Sequence, residues 1–343
     1  MEKDAPSAGT PPILTRWYID TRHLTASTTT LPLIETLQPS DQTAIQKYYH
    51  IKDKHMSLAS NLLKYLFVHR TCRLPWSSIV ISRTPHPHRR PCYIPPSNSQ
   101  AGSHEDENTT VNVEFNVSHQ ASMVAIAGTT IPPDIGVDGK HKPEVGIDIT
   151  CVNERQGRNG KERSLESLHK YIDMFSEVFS AAELADMRRL HGAPSCLSGD
   201  RLVDYGYRLF YTYWALKEAY IKMTGEALLA PWLRELEFNN VVAPAAVAES
   251  VESEGKFGDP YTDVRTTLYK NPVEDVRIEV ASLNGDYLFA TAARGGGIGA
   301  GSRPGDLQDM SDSQSQDPWM PFTKLNIERD IRPCATGVCN CLS

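Results

Sequence analysis

The chain has 343 residues, 40% of them apolar and 22% charged, and 35 Lys+Arg against 42 Asp+Glu leave a formal charge of −7. That is enough chain for one large domain or two smaller ones, each with its own core. It excludes a collagen-like chain, a long coiled coil and an Asp/Glu-dominated disordered chain. No run approaches the ~18 consecutive apolar residues of a membrane span, and the acidic balance argues against a general nucleic-acid binder while leaving room for local basic patches.

The opening MEKDAPSAGTPPILTRW mixes charge with Pro and has no apolar core segment and no Arg-rich amphipathic stretch, so neither a signal nor a transit peptide is expected. Seven scattered cysteines, an odd number, suit free thiols in a reducing compartment. A cytoplasmic protein is expected.

Residues 1–12 read as a flexible N-terminus. An N-terminal half follows over 13–137. It opens with the extended RWYIDTRHL, and Asp41 can cap one helix through QKYYHIKDKHMSLASNLLKYLFV, where Met56, Leu58, Leu62, Leu63, Leu66 and Phe67 recur at helical spacing. SSIVISRT predicts a strand, PHPHRRPCYIPP a Pro-broken loop, and VNVEFNVSHQ with ASMVAIAG two strands across a short turn. The Pro- and Gly-rich stretch 128–143 is the best internal boundary.

A C-terminal half is expected over 138–294. VGIDITCV is a β-branched buried strand, and Ser180 opens Ser-Ala-Ala-Glu, a capping box at a helix start. YRLFYTYWALKEAYIKMTGEAL is the strongest helix, with Gly225 as its C-cap. RELEFNN, DVRTTLYK, VRIEVASL and DYLFATAAR are strand-like, with 243–262 as a flexible insertion between them. Residues 295–343 read as a low-complexity, largely disordered tail.

Four groups of residues carry possible chemistry. Trp214, Glu218 and Lys222 lie four apart on one helix face. An exposed Glu–Lys pair of this kind merely supports a helix by ~0.3–0.5 kcal/mol. Here Ala215, Ala219, Tyr220 and Ile221 make the segment apolar nearly all round, so the charges lie in or beside a buried surface and need strong partners. Asp148, inside Val-Gly-Ile-Asp-Ile, is a carboxylate in a buried strand, bound either to backbone or to a metal. Asp148 and Glu218 together supply two hard oxygen ligands, which suits Mg²⁺.

Ser118, His119 and Gln120 end a strand and offer a hydroxyl, an imidazole and an amide, or simply a solvent-facing turn. Neighbours on an extended chain face opposite ways, which disfavours a Ser–His nucleophile pair. Lys52, Lys54, Arg89 and Arg90 form the basic group, and two Arg before a Pro suit phosphate oxygens.

Phe115-Asn116-Val117-Ser118-His119-Gln120, then Val145-Gly146-Ile147-Asp148-Ile149, then Phe179-Ser180 with Glu183, then Trp214 through Lys222 (WALKEAYIK) resemble the signature motifs of the 4′-phosphopantetheinyl transferases. Length and the Ser-His-Gln variant resemble the Sfp type in its fungal broad-range form. A lone Gly-Ile-Asp is weak; three motifs in order, about 30 and 70 residues apart, are strong. The resemblance covers about 40–240, more weakly to 294, and not the tail.

It implies an α+β fold, a pseudo-dimer of two similar α/β halves with the active site in the cleft between them. The implied reaction moves the 4′-phosphopantetheine arm of coenzyme A to a serine of an apo acyl or peptidyl carrier protein and releases adenosine 3′,5′-bisphosphate. By the same resemblance Asp148 and Glu218 are the Mg²⁺ ligands, Glu218 is a candidate base, and Lys222 contacts the phosphates. His119, with Ser118 beside it, lies near the nucleotide phosphates, Arg90 matches a basic motif position with Arg89 next to it, and Lys52 is similar in place to a residue that holds the 3′-phosphate. Bacterial members carry a second acid where this chain has Thr150, so a water or Gln120 is expected to complete the metal shell.

The partners implied are coenzyme A and carrier domains of fatty acid synthase, polyketide synthases, non-ribosomal peptide synthetases or a lysine-pathway reductase, with a monomeric enzyme and neither nucleic acid nor membrane. Arg155, Arg158, Lys161, Arg163 and Lys170 form a positive cluster that can dock an acidic carrier or be a solvated face. The rival readings are a non-catalytic coenzyme A or carrier-protein binding module on the same fold, and a Ser/His hydrolase, which lacks its Gly-x-Ser-x-Gly elbow. Cys334-x₄-Cys339-x-Cys341 has no second ligand pair and no His nearby in sequence, so no zinc is expected there. With Asn340 fourth from the end, it is no prenylation box either.

Overall fold

The computed structural model describes residues 13–85, 88–95, 111–133, 141–153, 164–226, 230–248, 255–303 and 316–342. In chain order the elements are β1 (Thr15–Asp20), α1 (Arg22–Ser27), α2 (Pro39–Gln46), α3 (Ile51–Cys72), β2 (Ile81–Arg83), β3 (Pro91–Tyr93), β4 (Asn112–Gln120), β5 (Met123–Ile131), β6 (Glu144–Cys151), α4 (Leu165–Asp173), α5 (Ala181–Arg188), α6 (Gly199–Thr224), β7 (Leu236–Asn239), β8 (Arg265–Leu268), β9 (Asn271–Pro272), β10 (Arg277–Leu283), β11 (Tyr287–Arg294), β12 (Thr323–Lys324) and α7 (Arg332–Ala335). The architecture is mixed α+β. The expected boundary at 137/138 lies outside the described residues.

Two sheets carry the fold, ordered β12-β1-β5-β4 and β10-β11-β6. Three apolar layers hold them. Leu58, Leu62 and Leu66 of α3 pack on Phe115, Val124 and Ile126 of the first sheet. Leu216 and Ala219 of α6 pack on Val280, Leu288 and Ala290 of the second. Between the sheets, Tyr18, Ala125 and Ala127 meet Ile147, Ile149 and Phe289.

The period-2 alternation of β6 sorts its residues between two of these layers. Val145, Ile147 and Ile149 enter the layer between the sheets, while Gly146 and Asp148 face α6. A Cβ on Gly146 would stand 2.0 Å from the Ala219 carbonyl oxygen and 2.4 Å from the Met223 nitrogen. Only glycine lets the helix descend this far onto the strand.

The sheets are also laced together by side chains. Asn116, Ser118 and Gln120, alternate residues of β4, accept the amides of Ile147, Ile149 and Cys151 at 3.5, 3.2 and 3.1 Å. Polar side chains thereby satisfy the edge of β6 that β11 does not use.

Several expectations need correction. The helix predicted from Asp41 is two helices, because 47–50 offers the core nothing: Tyr49 is 91% exposed, and His50 takes extended backbone as the N-cap of α3. Asp41 instead lies in the first turn of α2, behind Pro39. The 243–262 insertion is stitched to the sheet in its described parts: Phe257 and Tyr261 bridge to Leu283 and Val280, and Phe257 stacks on Phe322 at 4.6 Å.

The tail is likewise not a disordered appendage over its described residues 295–303 and 316–342. β12 pairs in parallel with β1, Trp17 opposite Thr323. Trp319, Leu325, Ile327, Ile331 and Cys334 are buried. Its Gly-rich composition hides apolar residues that complete the core of the first half.

Candidate active site

The centre lies where β4, β6 and α6 meet. Asp148, 5% exposed on β6, accepts the Lys222 ammonium at 2.6 Å and the Ser118 hydroxyl at 3.1 Å on Oδ1. Its Oδ2 accepts the Thr150 hydroxyl at 2.8 Å. Lys222 also donates to Ser118 Oγ at 2.9 Å and stands 4.0 Å from Glu218 Oε2, one helical turn earlier. Two carboxylates from different elements therefore converge on one cationic point.

The electrostatics follow from this crowding. Burial, and then the negative charge of Asp148, push the Glu218 carboxyl up to about 7, with Lys222 opposing them. A carboxyl poised near neutrality suits a general base. The His119 pKa is lowered, first by the protein mass around the ring and then by Lys222 and Lys64, although the residue keeps solvent access at the end of β4. Its neutral, uncharged form is favoured there.

The donor set fits a hard divalent cation. Asp148 and Glu218 offer oxygen ligands around the Lys222 ammonium; Mg²⁺ is bound through one or two carboxylates, waters and substrate phosphates. Thr150, at the position where bacterial members carry a second acid, donates its hydroxyl to Asp148 and orients it. The Gln120 Oε1, expected as a possible ligand, accepts the Cys151 amide, which also ties β4 to β6.

Ser118, Asp148, Glu218 and Lys222 thus come together in the structure, while His119, next to Ser118 on β4, lies within reach of the Lys222 charge. Arg90 does not offer a free guanidinium. It donates to Glu114 Oε1 at 2.7 Å, to the Val145 carbonyl at 3.0 Å and to the Met223 carbonyl at 3.2 Å. With His88 against the Gly225 carbonyl at 2.6 Å, it caps the C-terminus of α6, where carbonyls lack helical partners and the dipole favours cations. The Arg-Pro loop is a strut in this arrangement. Arg89, at φ 48°, is exposed, as is Lys52 in the first turn of α3.

Of the proposed docking cluster, Arg155, Arg158, Lys161 and Arg163 lie outside the described residues; Lys170 pairs with Glu166 at 2.6 Å along α4. A cleft of about 980 Å³ opens elsewhere, among Arg201, Tyr205, Val242 and Tyr261. It includes none of the residues of the centre.

Two buried groups escaped the sequence reading. Lys217, fully buried, pairs with Glu183 at 2.9 Å. Glu183 closes the predicted capping box with Ser180 and also accepts the Phe238 amide at 2.9 Å. That pair hangs the active-site helix on α5 and β7. Lys64 of α3 is 8% exposed, and burial holds its pKa down to about 8. The one available signal was that its helix-face neighbours three and four residues on, Phe67 and Val68, are apolar and buried.

Comparison with known proteins agrees with this geometry. The chain matches the 4′-phosphopantetheinyl transferase superfamily over residues 144–281 and the 4′-phosphopantetheinyl transferase N-terminal family over residues 25–131. It is 79% identical to 4′-phosphopantetheinyl transferase NpgA of Emericella nidulans over the whole of both chains. It is 55% identical to 4′-phosphopantetheinyl transferase A of Aspergillus fumigatus, covering 96% of each chain. A 4′-phosphopantetheinyl transferase of Aureobasidium melanogenum is 32% identical over 93% of this chain and 96% of its own. With likeness running through both halves and the tail alike, the chain belongs to the 4′-phosphopantetheinyl transferase family.

Proposed function

We propose that the Asp148–Glu218–Lys222 centre transfers the 4′-phosphopantetheine arm of coenzyme A to a serine hydroxyl of an apo carrier protein. The observation that carries this is the convergence of Asp148 and Glu218 on the Lys222 ammonium, at 2.6 and 4.0 Å. Asp148 and Glu218 would hold Mg²⁺, which when bound offsets negative charge on the pyrophosphate. Ser118 and Thr150 fix the Asp148 carboxylate, so that it needs no reorganisation at the moment of reaction.

Lys222 neutralises phosphate charge once coenzyme A enters, and His119 borders the same space. Glu218 takes the proton of the carrier serine, directly or through a water. The serine oxygen forms its bond to phosphorus as the bond to the leaving adenosine bisphosphate breaks. Ser118 and His119 belong to the first half, and Asp148, Glu218 and Lys222 to the second. That division supports a cleft between two α/β halves related as a pseudo-dimer, and a monomer then holds a complete site.

No described helix is long and apolar enough to cross a membrane. Carrier domains of fatty acid synthase, polyketide synthases, non-ribosomal peptide synthetases and a lysine-pathway reductase are the partner classes. The test is to incubate the protein with coenzyme A, Mg²⁺ and an apo carrier domain and weigh the carrier. A phosphopantetheine adduct on serine, absent with chelator, is expected; no adduct on any of the four carrier classes overturns the assignment.

A further inference from the structure

The second notable cluster lies far along the chain from the active centre. His69 comes from the last turn of α3, and Cys334, Cys339 and Cys341 come from α7 and the turn after it. Their four ligand atoms all lie within 4.8 Å of one another. From the geometry of this cluster we infer that His69, Cys334, Cys339 and Cys341 form a closed structural zinc site that fastens the C-terminal segment to α3.

The distances match. Bond lengths of about 2.3 Å to sulfur and 2.0 Å to nitrogen place tetrahedral ligands about 3.8 Å apart for two sulfurs and about 3.5 Å apart for sulfur and nitrogen. Cys334 Sγ and Cys341 Sγ are 3.6 Å apart, and His69 Nε2 and Cys339 Sγ 3.2 Å apart. All seven cysteines of the chain are free thiols.

The histidine is already in the ligating tautomer. His69 Nδ1 lies 2.7 Å from the Leu74 carbonyl, which only accepts, so Nδ1 carries the hydrogen and the Nε2 lone pair points at the thiols. The chain turns back to offer that carbonyl because Arg73 adopts left-handed backbone at φ 50°. On the other side, Gly337 at φ 76° reverses the chain after α7, returning Cys339 and Cys341 to Cys334.

Charge is also accommodated. Three thiolates, a neutral imidazole and Zn²⁺ sum to one negative charge, with three thiol protons released to water as the ion binds. The Arg70 guanidinium stands 3.9 Å from Cys334 Sγ while donating to the Asp330 carbonyl at 2.9 Å. His69 and Cys334 are each 1% exposed, and four protein ligands leave no open position, so the site is structural and not catalytic.

The test uses the full chain purified under reducing conditions without added metal. About one zinc per chain that survives dialysis is expected by elemental analysis. Metal-stripped, reduced protein should take up Co²⁺ with a thiolate charge-transfer band and the visible bands of a tetrahedral ion. Cys339→Ser with Cys341→Ser should abolish both signals, whereas Cys196→Ser, on an exposed loop, should keep them. A second readout does not depend on the variant folding: chelation of the wild-type protein should make three thiols newly reactive, mapped to Cys334, Cys339 and Cys341. Absence of zinc together with no cobalt spectrum, zinc retained by the double variant, or a Cys334–Cys341 disulfide in place of metal would each overturn the inference.

Discussion

Ser118 Oγ donates to Asp148 Oδ1 at 3.1 Å and accepts the Ile149 amide at 3.2 Å, so a side chain of the first half sets the rotamer of the second half's central carboxylate. This hydroxyl is a positioning group, and its loss leaves the ligands themselves in place. Ser118→Ala should lower transfer about 10- to 100-fold. It should raise the Mg²⁺ concentration needed for half-maximal rate, and excess Mg²⁺ should recover part of the activity; a variant as active as wild type at low Mg²⁺ refutes the role.

Glu218 has the more direct part. Glu218→Gln keeps the volume but removes charge and basicity, so it should abolish carrier modification while coenzyme A binding, followed by calorimetry, persists. Undiminished turnover would remove Glu218 from the mechanism.

Its titration gives a pH signature. Burial and Asp148 raise the carboxyl to about 7, above its unfolded value, so the metal-free folded state binds the extra proton between about 4.5 and 7. Stability owed to this group is therefore full at the acid end of that window and lost as pH rises through 7. Mg²⁺ competes with the same proton, so its affinity should weaken as pH falls below 7. Both trends should vanish in Glu218→Gln, and a pH-independent Mg²⁺ affinity from 6 to 8 contradicts the assignment.

Gly146 sets how closely α6 approaches β6. Gly146→Ala places a methyl against the Ala219 carbonyl, a backbone atom that cannot swing aside. A loss of at least about 3 kcal/mol in denaturant unfolding is expected, along with loss of activity as Lys222 is lifted from Asp148. Wild-type stability in this variant would show that the helix can ride higher without cost.

The buried Lys217–Glu183 pair should behave asymmetrically. Lys217→Met strands a buried carboxylate and should cost about 3–5 kcal/mol, whereas adding Glu183→Gln should return part of that loss. A double variant less stable than the single would contradict this account of the pair.

The Asp148–Glu218–Lys222 cluster was legible because four-residue spacing puts Glu218 and Lys222 on one helix face, a carboxylate inside an apolar strand needs a partner, and both stand in motifs that resemble those of the family. Ser118, His119 and the Ser180–Glu183 capping box were readable for the same local reasons. What sequence spacing could not show depends on long-range partners. Arg90 looks like a phosphate ligand until Glu114, Val145 and Met223 surround it. The three C-terminal cysteines lack a fourth ligand until α3 brings His69 across some 265 residues to Cys334. Helix breaks are set by burial as much as by propensity, so the interruption at 47–50 was invisible to periodicity.

The pairing of Trp17 with Thr323 also constrains the order of events at the ribosome. The first strand has β5 on one side early in synthesis, but its other edge stays open until almost the whole polypeptide has emerged. A nascent chain must therefore carry an uncovered strand edge, and the apolar surface that Leu325, Ile327 and Ile331 will bury, through most of translation. A premature stop anywhere between β11 and β12 would leave every side chain of the proposed centre encoded and yet release a protein with that edge permanently exposed.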